Sequence, residues 1–264
     1  MLTTLARRAM TAIASRQEVR NWAGDAATRA FLRHAPESGI HRLTAKLNGK
    51  RVSFWLRGGT LDLMIAREIL CEESEYRSPK SIDPKVIIDV GANIGMTSLY
   101  YLTLYQNAKI FCFEPVPENL ELLRRNLEPY ADRVTIIPKG LGDAEGVFTF
   151  ERSTDPRNFG GGGFHGGGEG DCSLSLPVTT LRQVAKEHQI DRVDLIKLDA
   201  EGAEWPTLKG APPELIANAE VLIGELHGRN DLQLLQTLDK THRLGFTKRV
   251  DRKGMKFVAL RSAA

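Results

Sequence analysis

The chain has 264 residues, of which 42% are hydrophobic and 26% charged, and its formal net charge is only +3. This composition is typical of a soluble globular protein that buries a sizeable core without a metal or disulfide staple. No apolar run reaches the roughly 18 residues that a membrane-spanning helix needs.

The positive charge is concentrated at the start of the chain. Residues 1–34 contain six arginines but only two acids, Glu18 and Asp25. A nucleic-acid binder usually carries its basic stripe on the folded body, so no nucleic-acid partner is expected. We interpret this segment as a solvated amphipathic helix, with weak contact to an acidic membrane surface as the alternative. Three scattered cysteines that match no zinc spacing indicate a reducing compartment and predict a cytoplasmic protein.

Residues 1–80 are predicted to form an N-terminal cap rather than an independent domain. After the basic helix, the pattern predicts a small hairpin at 41–58 and a helix over TLDLMIAREIL. Residues 81–264 are predicted to form one α/β domain, because short apolar runs alternate with helical patterns from Lys85 onward. The runs 85–90, 109–114 and 134–138 predict strands, with helices over MTSLYYLTLYQNA and, with Pro117 in the first turn, PENLELLRRNL.

The second half continues this alternation. Residues 147–150 predict an extra strand at an edge, and the glycine-dominated stretch 158–173 predicts a mobile surface loop. A helix capped by a threonine follows over TTLRQVAKEHQ, and strands are predicted at 193–199 and 220–227. DLQLLQTLDKTHRLG predicts a helix ending at Gly245, before a hairpin of FTKRV and KFVAL. The fold class is therefore α/β: a mostly parallel seven-stranded sheet with a terminal antiparallel hairpin, as in Rossmann-like class I methyltransferases.

A glycine-rich turn, DVGANIG, joins the first strand of this domain to its helix. Gly91 and Gly95 permit a tight turn and close approach of the backbone to a ligand. Asp89 ends the strand, where its carboxylate could bind an amino-acid ammonium group directly or through water. Ligands of open parallel sheets bind at this edge. We therefore predict that Asp89, Gly91, Ala92, Asn93 and Gly95 bind a cofactor.

The next strand is followed by Glu114, from which a carboxylate can accept hydrogen bonds from both hydroxyls of a ribose. A dinucleotide-binding turn has the spacing G-x-G-x-x-G, whereas this turn has G-x-x-x-G. An acid directly before the turn suits the cationic end of a methionine better than a pyrophosphate. These features favour S-adenosylmethionine over a nicotinamide cofactor. Asp143, in the GLGD run after the third strand, is predicted to border the adenine.

The acceptor side of the site is predicted at the ends of the next two strands. Methyl transfer from a sulfonium to a hydroxyl needs an oriented acceptor and a group that takes its proton. We predict Asp199, Glu201 and His227 as catalytic residues there. His227 is an attractive base because the ordinary pKa of histidine is about 6.5; the alternative is a plain histidine at the end of a strand.

Alternative roles remain for the charged residues of this region. Glu201 could cap the short helix after its strand, Lys197 is expected to pair with a neighbouring carboxylate, and Glu204 is expected to be exposed. Asp199, Glu201, Glu225 and His227 could also bind a divalent metal ion. Carboxylate-rich sites are common without one, so a metal is not favoured.

Five runs of the sequence, in this order, resemble the FkbM family of methyltransferases. They are IIDVGANIG, CFEPVPENLELLRRN, GLGD, LIKLDAEGAEW and LIGELH. The likeness spans about residues 60–227. GTLDLMIAREIL followed by ESEY is similar to that family's lead-in helix. The resemblance implies O-methylation of a hydroxyl on a sugar, glycan, polyketide or similar small acceptor. The glycine-rich insertion departs from the family's pattern and affects the expected substrate rather than the cofactor.

Two other classes of function stay open at this point. The first is an oxidoreductase with a nicotinamide cofactor, which the glycine spacing disfavours. The second is a binding module that keeps the fold without its chemistry, which the intact acids at the strand ends disfavour. A nucleic-acid methyltransferase is a further option, but the chain has no N-P-P-Y-type motif and no basic body.

Overall fold

The computed structural model describes residues 36–70, 76–79, 81–159, 161–164, 173–228, 230–247 and 255–262. The arginine-rich segment 1–34, most of the glycine-rich stretch and the turn of the closing hairpin lie outside these residues. No helix in the described ranges is long and apolar enough to cross a membrane.

Within the described part of the chain, seven strands form the main sheet. They are, in chain order, β3 (Val86–Val90), β4 (Lys109–Phe113), β5 (Val134–Ile137), β10 (Leu195–Leu198), β11 (Val221–Leu226), β12 (His242–Thr247) and β13 (Met255–Arg261). Their spatial order is β12-β13-β11-β10-β3-β4-β5. The five strands from β11 to β5 are parallel, and β12 and β13 add an antiparallel hairpin next to β11. The predicted mostly parallel sheet with a terminal hairpin is confirmed.

Helices cover both faces of this sheet. The α-helices of the described ranges are α1 (Asp62–Leu70), α2 (Met96–Leu104), α3 (Pro117–Leu127), α4 (Leu181–His188), α5 (Glu204–Lys209), α6 (Pro213–Asn218) and α7 (Asp231–Leu238). Ile87 and Ile88 of β3 are both fully buried but belong to different hydrophobic clusters, one on each face. Continuous β-branched strands are typical of sheets covered on both faces, which is why residues 85–90 could be identified from the sequence.

The hairpin and helix that precede the main sheet pack into the same core. The hairpin consists of β1 (Ile40–Leu47) and β2 (Lys50–Arg57), paired in an antiparallel register. Phe54 of β2 and Ala66 of α1 are fully buried in the cluster that also contains Leu99 and Leu123 of the main domain. The hairpin and α1 bury their apolar faces against α2 and α3. The division of the chain into a cap of residues 1–80 and a domain of residues 81–264 stays a prediction.

A second, small sheet follows β5. It contains β6 (Gly140–Leu141), β7 (Gly146–Arg152), β8 (Gly162–Gly163) and β9 (Ser173–Thr179) in the order β6-β9-β7-β8. The strand predicted at 147–150 exists but lies inside this separate sheet rather than at an edge. Strand β9, which carries Pro177, was not predicted from the sequence.

The helix predicted to end at Gly245 is shorter in the structure. Helix α7 ends at Leu238, and β12 already begins at His242. The His242 side chain is 1% exposed and its Nε2 lies 2.9 Å from the Ala219 carbonyl oxygen. Backbone pairing of β12 with β13 therefore overrides the helical pattern at 242–245.

Candidate active site

The glycine-rich turn lies where the carboxyl ends of β3, β4 and β10 meet. The N–H groups of Gly91 and Ala92 both donate to the Phe113 carbonyl oxygen, at 3.0 and 2.9 Å. Gly91 has φ +73°, and a Cβ there would lie 1.9 Å from the backbone oxygen of Asp199. Only glycine fits this position, because the turn touches the loop after β10.

The rest of the turn is also tightly held. Gly95 has φ +89°, and a Cβ there would lie 2.9 Å from Leu123 Cδ1 of α3. Asn93 has φ +50°, and its Oδ1 is buried with no hydrogen-bond partner in the described part of the chain. A buried oxygen without a donor is costly, so this atom fits a site where a ligand supplies one.

Glu114 follows β4 and is 5% exposed. Its Oε2 accepts from the Asn93 N–H at 2.8 Å, and its Oε1 accepts from the Val116 N–H at 2.9 Å and from Asn119 Nδ2 at 3.4 Å. Burial raises the pKa of this carboxyl, although the hydrogen bonds oppose the shift. A carboxylate offers about four lone-pair sites and three are taken up by these donors, so Glu114 Oε2 retains capacity for one further donor, such as a ribose hydroxyl.

Asp89 occupies a different position from the other predicted cofactor residues. Its carboxylate is fully buried, accepts from Ser98 Oγ at 2.6 Å and lies 3.3 Å from Lys197 Nζ. Lys197 also donates to the carbonyl oxygens of Val90 and Gly91, at 2.9 and 2.7 Å. Burial would lower the pKa of Lys197, but Asp89 and Asp199 outweigh burial and raise it. The expected pairing of Lys197 with a carboxylate is present, and it ties β10 to the glycine turn.

Asp199, Glu201 and His227 come together at the ends of β10 and β11. His227 Nε2 lies 3.5 Å from Glu201 Oε2 and 3.8 Å from Asp199 Oδ1. His227 Nδ1 lies 2.9 Å from Oε1 of Glu204. The sequence thus predicted three residues that the fold gathers in one cluster, which we call the acid–histidine cluster.

Glu204 is buried, although the sequence predicts that it is exposed. Its side chain is 2% exposed because it accepts from the N–H groups of Ala200 and Gly202, at 2.8 and 3.0 Å, as well as facing His227. Between these two residues Glu201 has φ +51°, a left-handed conformation that costs about 1–3 kcal/mol for most side chains. The buried carboxylate holds the loop in that conformation, so Glu204 rather than Glu201 stabilises the start of α5.

The acid–histidine cluster shifts the pKa values of its own side chains. Burial raises the pKa of Glu201 to about 7, with the charge of Asp199 adding to burial and His227 opposing it. Burial would lower the pKa of His227, but the hydrogen bond to Glu204 and the surrounding carboxylates raise it to about 9. Near neutral pH, His227 is therefore an imidazolium, while Glu201 is the group able to take up or release a proton.

A pocket joins the glycine turn to this cluster. Gly91, Glu114 and Glu201 all line it, within a volume of about 470 Å³ that includes its open mouth. Asp143 does not line this pocket: its exposed carboxylate pairs with Lys209 Nζ at 2.7 Å, whereas Gly140 and Leu141 of the same run do line it.

The match to known protein families agrees with this geometry. The Methyltransferase FkbM domain matches residues 89–248, which include both the glycine turn and the acid–histidine cluster. The chain belongs to the FkbM methyltransferase family. This FkbM methyltransferase uses S-adenosylmethionine as its methyl donor, and its mostly parallel sheet with helices on both faces is Rossmann-like. The family assignment sets aside the nicotinamide-dependent oxidoreductase.

Several curated proteins are similar to this FkbM methyltransferase. Methyltransferase 1 of Beauveria bassiana is 31% identical over 195 residues, covering 64% of this chain and 75% of that protein. The 2-O-methyltransferase NoeI of Sinorhizobium fredii is 27% identical over 206 residues, covering 70% and 82%. The AMB antimetabolite synthetase AmbE of Pseudomonas aeruginosa is 28% identical over 202 residues, which are 63% of this chain but only 10% of AmbE.

Two residues of the site were not identified from the sequence. Tyr76, from the segment before the main sheet, donates its hydroxyl to Asp199 Oδ2 at 2.6 Å. Lys256 of β13 places its Nζ 4.6 Å from the centre of the Tyr76 ring and 3.9 Å from Glu225 Oε2. The only sequence signal for Tyr76 was the ESEY run that resembles the family's lead-in, and no local signal marked Lys256.

Proposed function

We propose that this FkbM methyltransferase transfers a methyl group to a hydroxyl of a sugar, glycan or polyketide-like small molecule. The observation that carries the proposal is the position of Glu201, which lines the same pocket as Gly91 and Glu114 and lies 3.5 Å from His227. A group able to take a proton is thus adjacent to the cofactor pocket. The 2-O-methyltransferase NoeI and the hexuronic acid methyltransferase AglP, which is 28% identical over 163 residues, support a sugar hydroxyl as acceptor.

The chain's own residues divide the work as follows. Glu114 would hold the ribose through a hydroxyl, and the turn of Gly91, Ala92, Asn93 and Gly95 would receive the methionine part. S-adenosylmethionine, when bound, supplies an electrophilic methyl group on its sulfonium. Glu201 takes the proton of the acceptor hydroxyl, since an effective general base has a pKa near the working pH.

The remaining charged groups orient this base. His227, held by Glu204, faces the carboxylates of Glu201 and Asp199 and stabilises their charge. Asp199 is held by Tyr76 and lies 3.8 Å from Lys197 Nζ. Asp89 lies behind the glycine turn and supports it through its pairing with Lys197. For Asp143 we propose only a position at the outer border of the region that binds the adenine.

We also propose a cytoplasmic location, because the cysteines are scattered and Cys112 is a buried free thiol.

Glu114→Gln tests the cofactor assignment. The substitution keeps the shape of the side chain but removes its charge, and hydrogen bonds to charged groups contribute about 1.5–3 kcal/mol each. The affinity for S-adenosylhomocysteine, measured by calorimetry, should fall roughly 10- to 100-fold. Glu121→Gln on the exposed face of α3 is the matched control and should bind like the wild type.

The acceptor is tested by following S-adenosylhomocysteine formation with a panel of free sugars, uronic acids, glycans and hydroxylated polyketides. Methylation of at least one hydroxyl supports the proposal. Binding of S-adenosylhomocysteine without methylation of any hydroxyl acceptor, or tight binding of NADH instead, would contradict it.

A divalent metal at the acid–histidine cluster is a second reading of the same geometry. Asp199, Glu201 and His227 each offer a ligand atom, and the three atoms lie within 4.8 Å of one another. Two cationic side chains, Lys197 and His227, already balance much of the acidic charge there. We therefore expect activity after EDTA treatment to stay within about twofold of its starting value, a loss restored by Mg²⁺ or Mn²⁺ being the contrary result.

A further inference from the structure

The outer wall of the cofactor pocket is built by the small sheet and its connections. Phe150 of β7 and Phe164, just after β8, lie edge to face with ring centres 5.2 Å apart, and both line the pocket together with Phe159. The Phe164 ring approaches β6 closely, because a Cβ on Gly140 would lie 2.9 Å from it. The Phe150 and Phe164 rings are therefore held by packing contacts and form part of the pocket wall.

The strand order indicates which part of the cofactor faces this wall. The acid–histidine cluster lies at the ends of β10 and β11, on one side of β3, whereas Glu114 follows β4 on the other side. The Phe159 carbonyl oxygen is bonded to Asn119 of α3, on the same side as Glu114. With the ribose at Glu114, the sulfonium must point toward the acid–histidine cluster, so that its methyl group reaches the acceptor. The adenine must then point the other way, toward the aromatic wall. Flat rings suit aromatic and apolar surfaces of this kind.

One side chain of the N-terminal hairpin holds this wall. The guanidinium of Arg57 lies 4.3 Å from the centre of the Phe159 ring, and its Nη2 donates to Asn119 Oδ1 at 3.0 Å. Asn119 Nδ2 in turn donates to the Phe159 carbonyl oxygen at 3.0 Å and lies within reach of Glu114. Asp62 fixes the guanidinium by two hydrogen bonds, at 2.8 and 2.9 Å.

We propose that Phe159 forms the adenine-facing wall of the cofactor site and that Arg57 is a positioning residue which holds Phe159 and Asn119 in place. The N-terminal hairpin thereby contributes to cofactor binding without touching the methyl group. Arginine suits this role because its planar fork bonds Asp62 and Asn119 while its face stacks on an aromatic ring. The inference rests on the proposed function only in taking S-adenosylmethionine to bind with its ribose at Glu114.

The test compares variants of Phe159 in the full-length protein. Phe159→Ala removes the ring and Phe159→Leu keeps its bulk without an aromatic face, whereas Phe159→Tyr keeps the face. We expect the Kd for S-adenosylhomocysteine and the KM for S-adenosylmethionine to rise about tenfold in Phe159→Ala, with an intermediate rise in Phe159→Leu. Phe159→Tyr should be close to the wild type. The kcat at saturating donor should stay unchanged, because the wall lies away from the acceptor.

Further measurements separate a positioning role from general damage. Inhibition by adenosine should weaken in parallel with S-adenosylhomocysteine binding, whereas inhibition by homocysteine should not change in Phe159→Ala. Arg57→Lys, which keeps the charge but loses the fork, should raise the KM for the donor about fivefold at constant kcat. Phe148→Ala, at a ring that is 41% exposed and outside the pocket, is the control.

Two contrary results are distinguishable. If the wild type binds S-adenosylhomocysteine and a folded Phe159→Ala binds it equally well, or loses only acceptor affinity, the wall and the role of Arg57 are wrong while the proposed function stands. If the wild type does not bind S-adenosylhomocysteine at all, the proposed function fails as well.

Discussion

Replacing Glu201 with glutamine is expected to lower kcat for methyl transfer by about 10²- to 10⁴-fold, the usual contribution of a general base. The physical reason is that glutamine has similar size but does not take a proton from the acceptor hydroxyl. The affinity for S-adenosylhomocysteine should change less than about threefold, because Glu114 and the glycine turn bind the cofactor. Steady-state kinetics and calorimetry on the same preparation measure the two effects separately.

The dependence on pH gives the same prediction an independent readout. A base works when deprotonated, so wild-type activity should rise as the pH passes the pKa of Glu201, raised by burial to about 7. Activity should fall again above about 9, where His227 loses its proton and no longer balances Asp199 and Glu201. The residual activity of Glu201→Gln should lack the rise near neutral pH.

Two variants serve as comparisons for Glu201→Gln. Glu214→Gln changes an exposed carboxylate on α6 and should leave the rate and its pH profile unchanged. His227→Gln should lower kcat less than Glu201→Gln and should remove the alkaline fall. If His227→Gln abolishes activity while Glu201→Gln retains most of it, His227 is the base and the assignment of roles is wrong.

The sequence was sufficient to predict what depends on local pattern. Strand β3 is rich in β-branched residues and glycine follows it directly, and Thr180 caps α4 by accepting from the Gln183 N–H at 3.1 Å. Asp199, Glu201 and His227 could be grouped because parallel strands present their carboxyl ends at one edge of the sheet. Geometry of this kind follows from strand order alone.

Contacts between segments that are distant in sequence could not be predicted from local patterns. Tyr76 reaches Asp199 across 123 positions of sequence, and Arg57 reaches Asn119 across 62. Glu204 was expected to be exposed because the pattern of α5 does not reveal the two N–H groups that fold back onto its carboxylate. His227 was predicted as a base from its ordinary pKa, yet its protonation depends on Glu204, whose position only the fold determines.

Among substitutions that add a single methyl group to the site, Gly91→Ala is expected to lower stability and activity most. The new Cβ would lie 1.9 Å from the backbone oxygen of Asp199, and the residue would have to keep φ +73°. The glycine turn and the loop after β10 must then move apart, breaking the bond from Lys197 to the Gly91 carbonyl oxygen. We expect about 2–4 kcal/mol less stability, a Tm lower by roughly 5–15 °C, and methyl transfer reduced more than about 100-fold.

Gly49→Ala separates the steric contact from backbone strain. Gly49 has φ +81°, but a Cβ there meets nothing within 4 Å. It should therefore lose only the roughly 1–2 kcal/mol of a left-handed alanine and keep its activity. Equal losses in the two variants would mean that the contact with Asp199 is unimportant. A much larger loss in Gly91→Ala would establish that the turn before α2 and the Asp199–Glu201 loop form one rigid unit. In that case the cofactor turn itself determines where the proton-accepting carboxylate lies.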